Sequence, residues 1–383
     1  MDHLEKLLAA NLGKKPIEKG IKMFPTIRNW SVRPSNSPED YALPYVTSSM
    51  VEAVNTCPRW GIINNIQGKR FVLGYRQMAL EAGSLMHDVF AVFNLITVAT
   101  SQKLPDHADY AGRQLFGDRW DGIEFTKLVK KKEGFDLYEE LLYSTVQTSD
   151  FYDDPKDRNR TVANLEACGI ELAVFLEDYD THIWIEDETD PTSEIGIEKS
   201  LDVIFTVEYD NGHTVDIRFI GLADALYQKS DTNIVRLGEF KTTAGMNDGW
   251  RESFKTRHQL SAYFGALSAY FEEVSEDIVL TGMSVPVRKT TQPIQRLIYH
   301  RDEQHVTNFL ATATFAMELI EEYEGANVLK APMFTHSCNR YFRPCSLMDL
   351  CTADSEDIVP VYEQMETVEE LSPSEQKAKV RYE

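Results

Sequence analysis

The densest chemistry in this chain lies between Gly221 and Lys241, in the stretch GLADALYQKSDTNIVRLGEFK. Two apolar, β-prone runs flank the polar segment KSDTN. The first carries Asp224, and the second carries Glu239 and Lys241 with one residue between them. Side chains two apart on a strand share a face, so Glu239 and Lys241 point one way and Phe240 the other. Pairing of the two runs as a hairpin brings Asp224 beside Glu239. Two carboxylates and an ammonium in one small volume are costly to bury, and a divalent cation is the usual compensation. Taken alone, the hairpin implies only a metal site.

Period-two patterning begins at Ile195. EIGIEKSLDVIFTVEY and HTVDIRFIGLADALYQ read as strands joined by Asp210-Asn211-Gly212, a strong hairpin turn. NIVRLGEFKTT completes a three-stranded meander ending on Glu239 and Lys241. A long helix is expected over residues 250–273, then strands in DIVLTGMSVPV and QPIQRLIYH, then a helix over 302–324. On the first of these helices Arg251, Lys255, Gln259 and Tyr263 are spaced by four and share a slowly drifting stripe. Such a stripe is ordinarily a polar face. Placed directly after the acidic strand, it suits contact with a phosphate backbone.

Upstream, residues 77–100 form an apolar helix that should be buried, with Gly83 one turn before His87. A lone histidine in such a helix is more often a packed core residue than a ligand. In VTSSMVEAVNTCPRW, Ser48 or Ser49 is positioned to cap a helix that Pro58 ends, leaving Cys57 at its C-terminus. Residues 1–44 read as an arm packed over the domain at 45–352. Residues 102–194 read as a largely helical insertion, with a helix at 160–182 that places Cys168 on its apolar stripe. The basic run at 127–132 is ordinarily a solvated face. Residues 353–383 read as an acidic, flexible tail.

The 383 residues suffice for two average domains or for one core with long insertions. The N-terminal segment MDHLEKLLAANLGKK shows no secretion signal, and no apolar run reaches the ~20 residues that span a bilayer. A soluble, cytoplasmic protein without a membrane partner is therefore expected. The net charge of −22 argues against nucleic acid at first sight. However, residues 177–194 hold eight acids and no Lys or Arg, and 354–383 hold nine acids against three bases, so these two segments carry −14 of the total. The remainder is near balance and leaves room for a basic groove. Of the five cysteines, Cys338, Cys345 and Cys351 fall within fourteen residues, which suggests metal ligation over a disulfide framework.

The order GLADA, GEFKT, HQLSAYFGAL resembles the nuclease core of the PD-(D/E)xK superfamily, RecB-like branch. That resemblance implies an α/β fold with a restriction-endonuclease-like core, a mixed central sheet flanked by helices. It implies a DNA substrate and divalent-metal-dependent hydrolysis, by family habit as an exonuclease in recombination or repair. Asp224 and Glu239, with the backbone carbonyl of Phe240, would bind Mg²⁺ or Mn²⁺. Lys241 would polarise the phosphate or place the water, and Gln259 and Tyr263 would support the site and the DNA. Gly83-Ser84-Leu85-Met86-His87 matches the family's Gly-x-x-x-His helix and makes His87 a metal ligand, which periodicity alone does not show. Glu198, in GIEKSL, sits where the family often has an acid opening the first strand.

The cysteines extend the resemblance to the iron–sulfur subset, similar to AddB-type and CRISPR-associated exonucleases, in which one cysteine precedes the nuclease core and three follow it. Cys57, Cys338, Cys345 and Cys351 would then hold a [4Fe–4S] cluster, a four-cysteine staple joining the chain's two ends. Four thiolates also suit zinc. Six residues separate Cys338 from Cys345, longer than the Cys-x-x-Cys spacing common in the subset. The rival expectation is a silent, nuclease-like DNA-binding module. Its signature, loss of an Asp, Glu or Lys from the set, is not found in this sequence. The acidic tail is expected to be a solubilising segment, with a site for a protein partner or a DNA mimic that limits unspecific binding as the alternatives.

Overall fold

The computed structural model describes residues 26–67, 69–70, 78–123, 125, 181–229, 232–243, 245–284, 294–323, 325–332, 339–340, 343–345, 347–352 and 366–367. Among the described residues eight strands form one mixed sheet: β1 Ile27–Pro34, β2 Tyr45–Val46, β3 Thr181–Ile183, β4 Ile197–Tyr209, β5 Thr214–Lys229, β6 Val235–Thr243, β7 Asp277–Ser284 and β8 Ile294–His300. The main order is β1-β4-β5-β6-β7-β8, with β2 and β3 also pairing with β5. The meander β4-β5-β6 is antiparallel, β6 and β7 run parallel, and β8 returns antiparallel. Gly212, at φ +79°, turns β4 into β5, as the Asn-Gly pair predicts. β1 pairs with β4 from Ile27 to Pro34, so part of the expected arm is an edge strand of the sheet.

The helices are α1 Pro38–Ala42, α2 Ser48–Thr56, α3 Pro58–Gly61, α4 Met78–Thr100, α5 Pro105–Phe116, α6 Arg119–Gly122, α7 Asp248–Ser253, α8 His258–Leu267, α9 Glu303–Glu322 and α10 Met348–Thr352. Thr47, one residue ahead of the expected Ser48 or Ser49, caps α2 by accepting from the Met50 N–H. Pro58 opens α3, where its missing N–H costs nothing. The helix expected at 160–182, Cys168 and the basic run at 127–132 lie outside the described residues, as does most of the tail. Glu366–Thr367 of that tail pairs with Lys69–Arg70.

Apolar residues pack on both faces of the sheet. Leu201, Phe205, Phe219 and Leu237 meet α2, α8 and α9 in one layer; Ile197, Ala225, Phe240 and Met283 meet α4 and α5 in the other. In a regular strand Ile197 and Leu201 share a face, as do Ala223 and Ala225. Here each pair is divided between the layers. The exchange falls at Glu198 on β4 and at Asp224 on β5. Glu198 has φ +49°, a left-handed conformation rare outside glycine. The sheet thus changes face at the two acids.

The helix expected over 250–273 is two helices, α7 and α8, separated at Phe254–Arg257. No Gly or Pro stands at the break. Two side chains from the end of β8 take the carbonyls there instead: Tyr299 donates its O–H to the Arg251 carbonyl at 2.8 Å, and buried Arg301 donates to the Phe254 carbonyl at 2.6 Å. These bonds satisfy backbone acceptors that a continuous helix would satisfy internally.

Candidate active site

The register of β5 on β6, Ala225 opposite Gly238, sets Asp224 beside Glu239. The Asp224 Oδ2 accepts the Phe240 N–H at 2.6 Å. Phe240 turns its ring into the α4 layer, where it stacks on Phe90 with centroids 4.1 Å apart. That stack anchors α4 over β6. Gly83 permits the approach, since a Cβ there would lie 3.1 Å from the Thr242 Oγ1. One turn further on α4, the His87 Nδ1 lies 3.2 Å from the Asp224 Oδ1 and 3.8 Å from a Glu198 Oε1. Ligand atoms of His87, Glu198 and Asp224 all fall within 4.8 Å of one another.

Glu239 is fully buried on the opposite, α8 side. Lys241 donates to its Oε1, and the Gln259 Nε2 donates to the same oxygen at 2.8 Å. Gln259 also donates to the Tyr263 hydroxyl at 3.2 Å, and the Leu222 N–H meets that hydroxyl at 3.5 Å. Gly221 makes room for the ring: a Cβ there would lie 2.6 Å from the Tyr263 Cε1. The second carboxylate oxygen, Glu239 Oε2, is buried with no hydrogen-bond partner among the described residues.

The charges of Asp224, Glu239, His87 and Lys241 act on one another. Burial, followed by repulsion from Asp224, pushes Glu239 up to about 7, against the pull of Lys241 and His87. Burial opposes charge on His87, yet the Asp224 carboxylate, helped by Glu198, raises it to about 10. Burial likewise opposes ionisation of Asp224, but His87, Lys241 and the Phe240 N–H hold it below the ordinary carboxylate value. Lys241 is raised, since Glu239 and Asp224 outweigh its desolvation. Burial, with Glu239 next, raises the Tyr263 phenol. An acid kept near neutrality beside one kept ionised is the pattern of groups that exchange protons or bind cations.

Asp224, Glu239, Lys241, Gln259, Tyr263 and His87 are therefore brought together. Arg251 and Lys255 do not share one helical face with Gln259, because the helix is broken. Arg251 bonds Gln295 at 3.1 Å and Asp248 at 3.2 Å, and exposed Lys255 pairs with Glu252 at 2.7 Å. Glu198 joins the site at ligand distance. A sequence signal for it exists: the β4–β5 register is symmetric about Asn211, so Glu198 and Asp224, thirteen residues to either side, face each other.

The cysteines divide differently. Cys338 lies outside the described residues. Among the described residues Cys57, Cys345 and Cys351 form no disulfide. Burial raises the Cys351 thiol, Arg59 counters this, and Cys57 and Cys345 are near enough to add to the rise. The buried Arg59 reaches the Cys351 Sγ at 4.0 Å and donates to the Leu329 carbonyl at 2.6 Å.

No family profile and no curated protein sequence matches this chain. Among solved structures it is similar to a candidate exonuclease from Eubacterium rectale, at 13% identity and a TM-score of 0.37, over 84% of this chain and 99% of that one. So distant a likeness decides neither fold family nor activity. No helix among the described residues is long and apolar enough to cross a membrane.

Proposed function

We propose that this chain is a divalent-metal-dependent deoxyribonuclease of the PD-(D/E)xK superfamily, RecB-like branch, hydrolysing phosphodiester bonds at DNA ends in recombination or repair. The observation that carries the reading is the convergence of His87, Glu198 and Asp224 within 4.8 Å, beside the buried Glu239 and the half-buried Lys241 paired with it. The donor set fits a hard divalent cation: carboxylate oxygens, one imidazole nitrogen, and a buried Glu239 oxygen that lacks a proton donor. His87, Asp224 and Glu239, with the Phe240 carbonyl and Glu198, would hold Mg²⁺ or Mn²⁺. When bound, the ion supplies charge that polarises the phosphate and lowers the pKa of the attacking water. Lys241, held by Glu239, directs its ammonium at the charge that develops on the phosphate oxygens. Gln259 fixes the Glu239 carboxylate through one oxygen, and Tyr263 fixes Gln259.

The same reading assigns Cys57, Cys338, Cys345 and Cys351 to a [4Fe–4S] cluster, with zinc as the alternative. It is supported by the proximity of Cys57 and Cys345 to Cys351. The acidic tail is proposed as a partner-binding or solubilising segment.

End-labelled single- and double-stranded DNA, digested with Mg²⁺ or Mn²⁺, tests the proposal. The wild-type chain should cleave, and Lys241→Ala and Asp224→Ala should lose at least a hundredfold in kcat with the melting temperature retained, roughly the cost of removing a charge-stabilising group. Full activity in either variant refutes the assignment.

A further inference from the structure

Among the described residues Arg257 is a cation without an anion. It stands between α7 and α8, two residues before Gln259. Its guanidinium lies over the Phe254 ring, 4.3 Å from the centroid. It makes no ion pair with a carboxylate among the described residues, whereas Arg251 and Lys255 on the preceding turn each have one. It is also near enough to Lys241 for its charge to oppose the ammonium there. Two like charges beside one site repel, and an arriving anion turns that repulsion into shared attraction. A guanidinium seated on a ring is restrained there, and its N–H groups suit a phosphate, which Arg can grip through two of them. The position is also fixed: buried Arg301 holds the Phe254 carbonyl and Tyr299 holds that of Arg251, so the break that presents Arg257 is tied down from β8.

We infer that Arg257 binds a backbone phosphate of the DNA substrate next to the one attacked at Lys241. The inference rests on the nuclease reading above. It moves the phosphate contact from the expected pair, Arg251 and Lys255, to a residue at the start of α8.

The test uses the full chain and a duplex oligonucleotide with labelled ends. Cleavage with Mn²⁺ is measured for wild type, Arg257→Ala, Arg257→Lys and Lys255→Ala. Binding is measured against salt concentration with Lys241→Ala as the non-cleaving background. Arg257→Ala should raise KM about tenfold with kcat within about twofold, the pattern of lost uniform binding. It should also lower the slope of log Kd against log salt by about one, as for one lost phosphate contact. Arg257→Lys should restore most of the slope, and Lys255→Ala should change neither quantity. Melting temperatures report whether each variant is folded. Unchanged KM and slope in Arg257→Ala, with wild-type cleavage intact, overturn the inference alone; so does a fall in kcat at constant KM, which would mark Arg257 as a support for Gln259. A wild-type chain that does not cleave DNA overturns the nuclease reading and this inference together.

Discussion

Glu239 shows what a single buried carboxyl costs. It is inaccessible to water, and its Oε2 has no hydrogen-bond partner among the described residues. Its carboxyl titrates at about 7 against an ordinary 4.5. A raised acid destabilises the fold once it must ionise: the folded state binds the proton more tightly than the unfolded chain, so stability falls as pH rises from about 4.5 through about 7. The size is on the order of 3 kcal/mol at full ionisation, since each pH unit between the two values is about 1.4 kcal/mol. Glu239→Gln removes the titrating group, so in chelator-treated protein the wild type should lose stability relative to Glu239→Gln between pH 5 and 8. Urea melts of both chains across that range read this directly, and parallel curves would show that Glu239 is not the strained group. Asp224, Glu239 and Lys241 were legible in sequence because period two and a short hairpin fix their faces. His87 was legible only through the Gly-x-x-x-His resemblance, since the periodicity of an apolar helix offers no sign of which residue turns toward a carboxylate. The left-handed backbone of Glu198 left no signal either, for nothing in GIEKS favours it.

At the scale of elements, the β4–β5–β6 meander follows its sequence closely. The Asn211-Gly212 turn sets one register, and that register aligns both acids. The α7–α8 break was hidden because the groups that cause it, Tyr299 and Arg301, lie more than forty residues downstream. Two glycines in one strand pair separate local from tertiary causes. Gly212 has positive φ and nothing near its missing Cβ, whereas Gly221 is filled by the Tyr263 ring. Gly212→Ala should cost about 1 kcal/mol through the backbone alone and leave kcat unchanged. Gly221→Ala forces the ring aside, should cost roughly 1–3 kcal/mol, and should lower kcat because Tyr263 releases Gln259. Denaturation midpoints and single-turnover cleavage distinguish the two. Equal kinetic effects would detach Tyr263 from the site.

Across the whole molecule, the two sheet layers are held by different parts of the chain. α4 and α5 cover one face. The other is covered by α2 from the N-terminal side and by α8 and α9 from the C-terminal side. Cys57 ends α2, and Cys345 and Cys351 pack at the edge of that same layer. A metal centre joining Cys57 to Cys351 closes 294 residues of chain. Loop-closure entropy for that length is on the order of 5 kcal/mol. The proposed centre therefore belongs to stability, and its loss should be felt in folding before chemistry. Cys351→Ser, purified without oxygen, should lose bound metal and melt several degrees below wild type. Where iron is the metal, it should also lose an absorbance band near 400 nm; where zinc is, the chain should be colourless with one zinc per molecule. Wild type and Cys351→Ser with equal metal content and equal melting temperature would remove the staple from the proposal. The site at Asp224 and Glu239 would stand unaffected, since no cysteine touches it among the described residues.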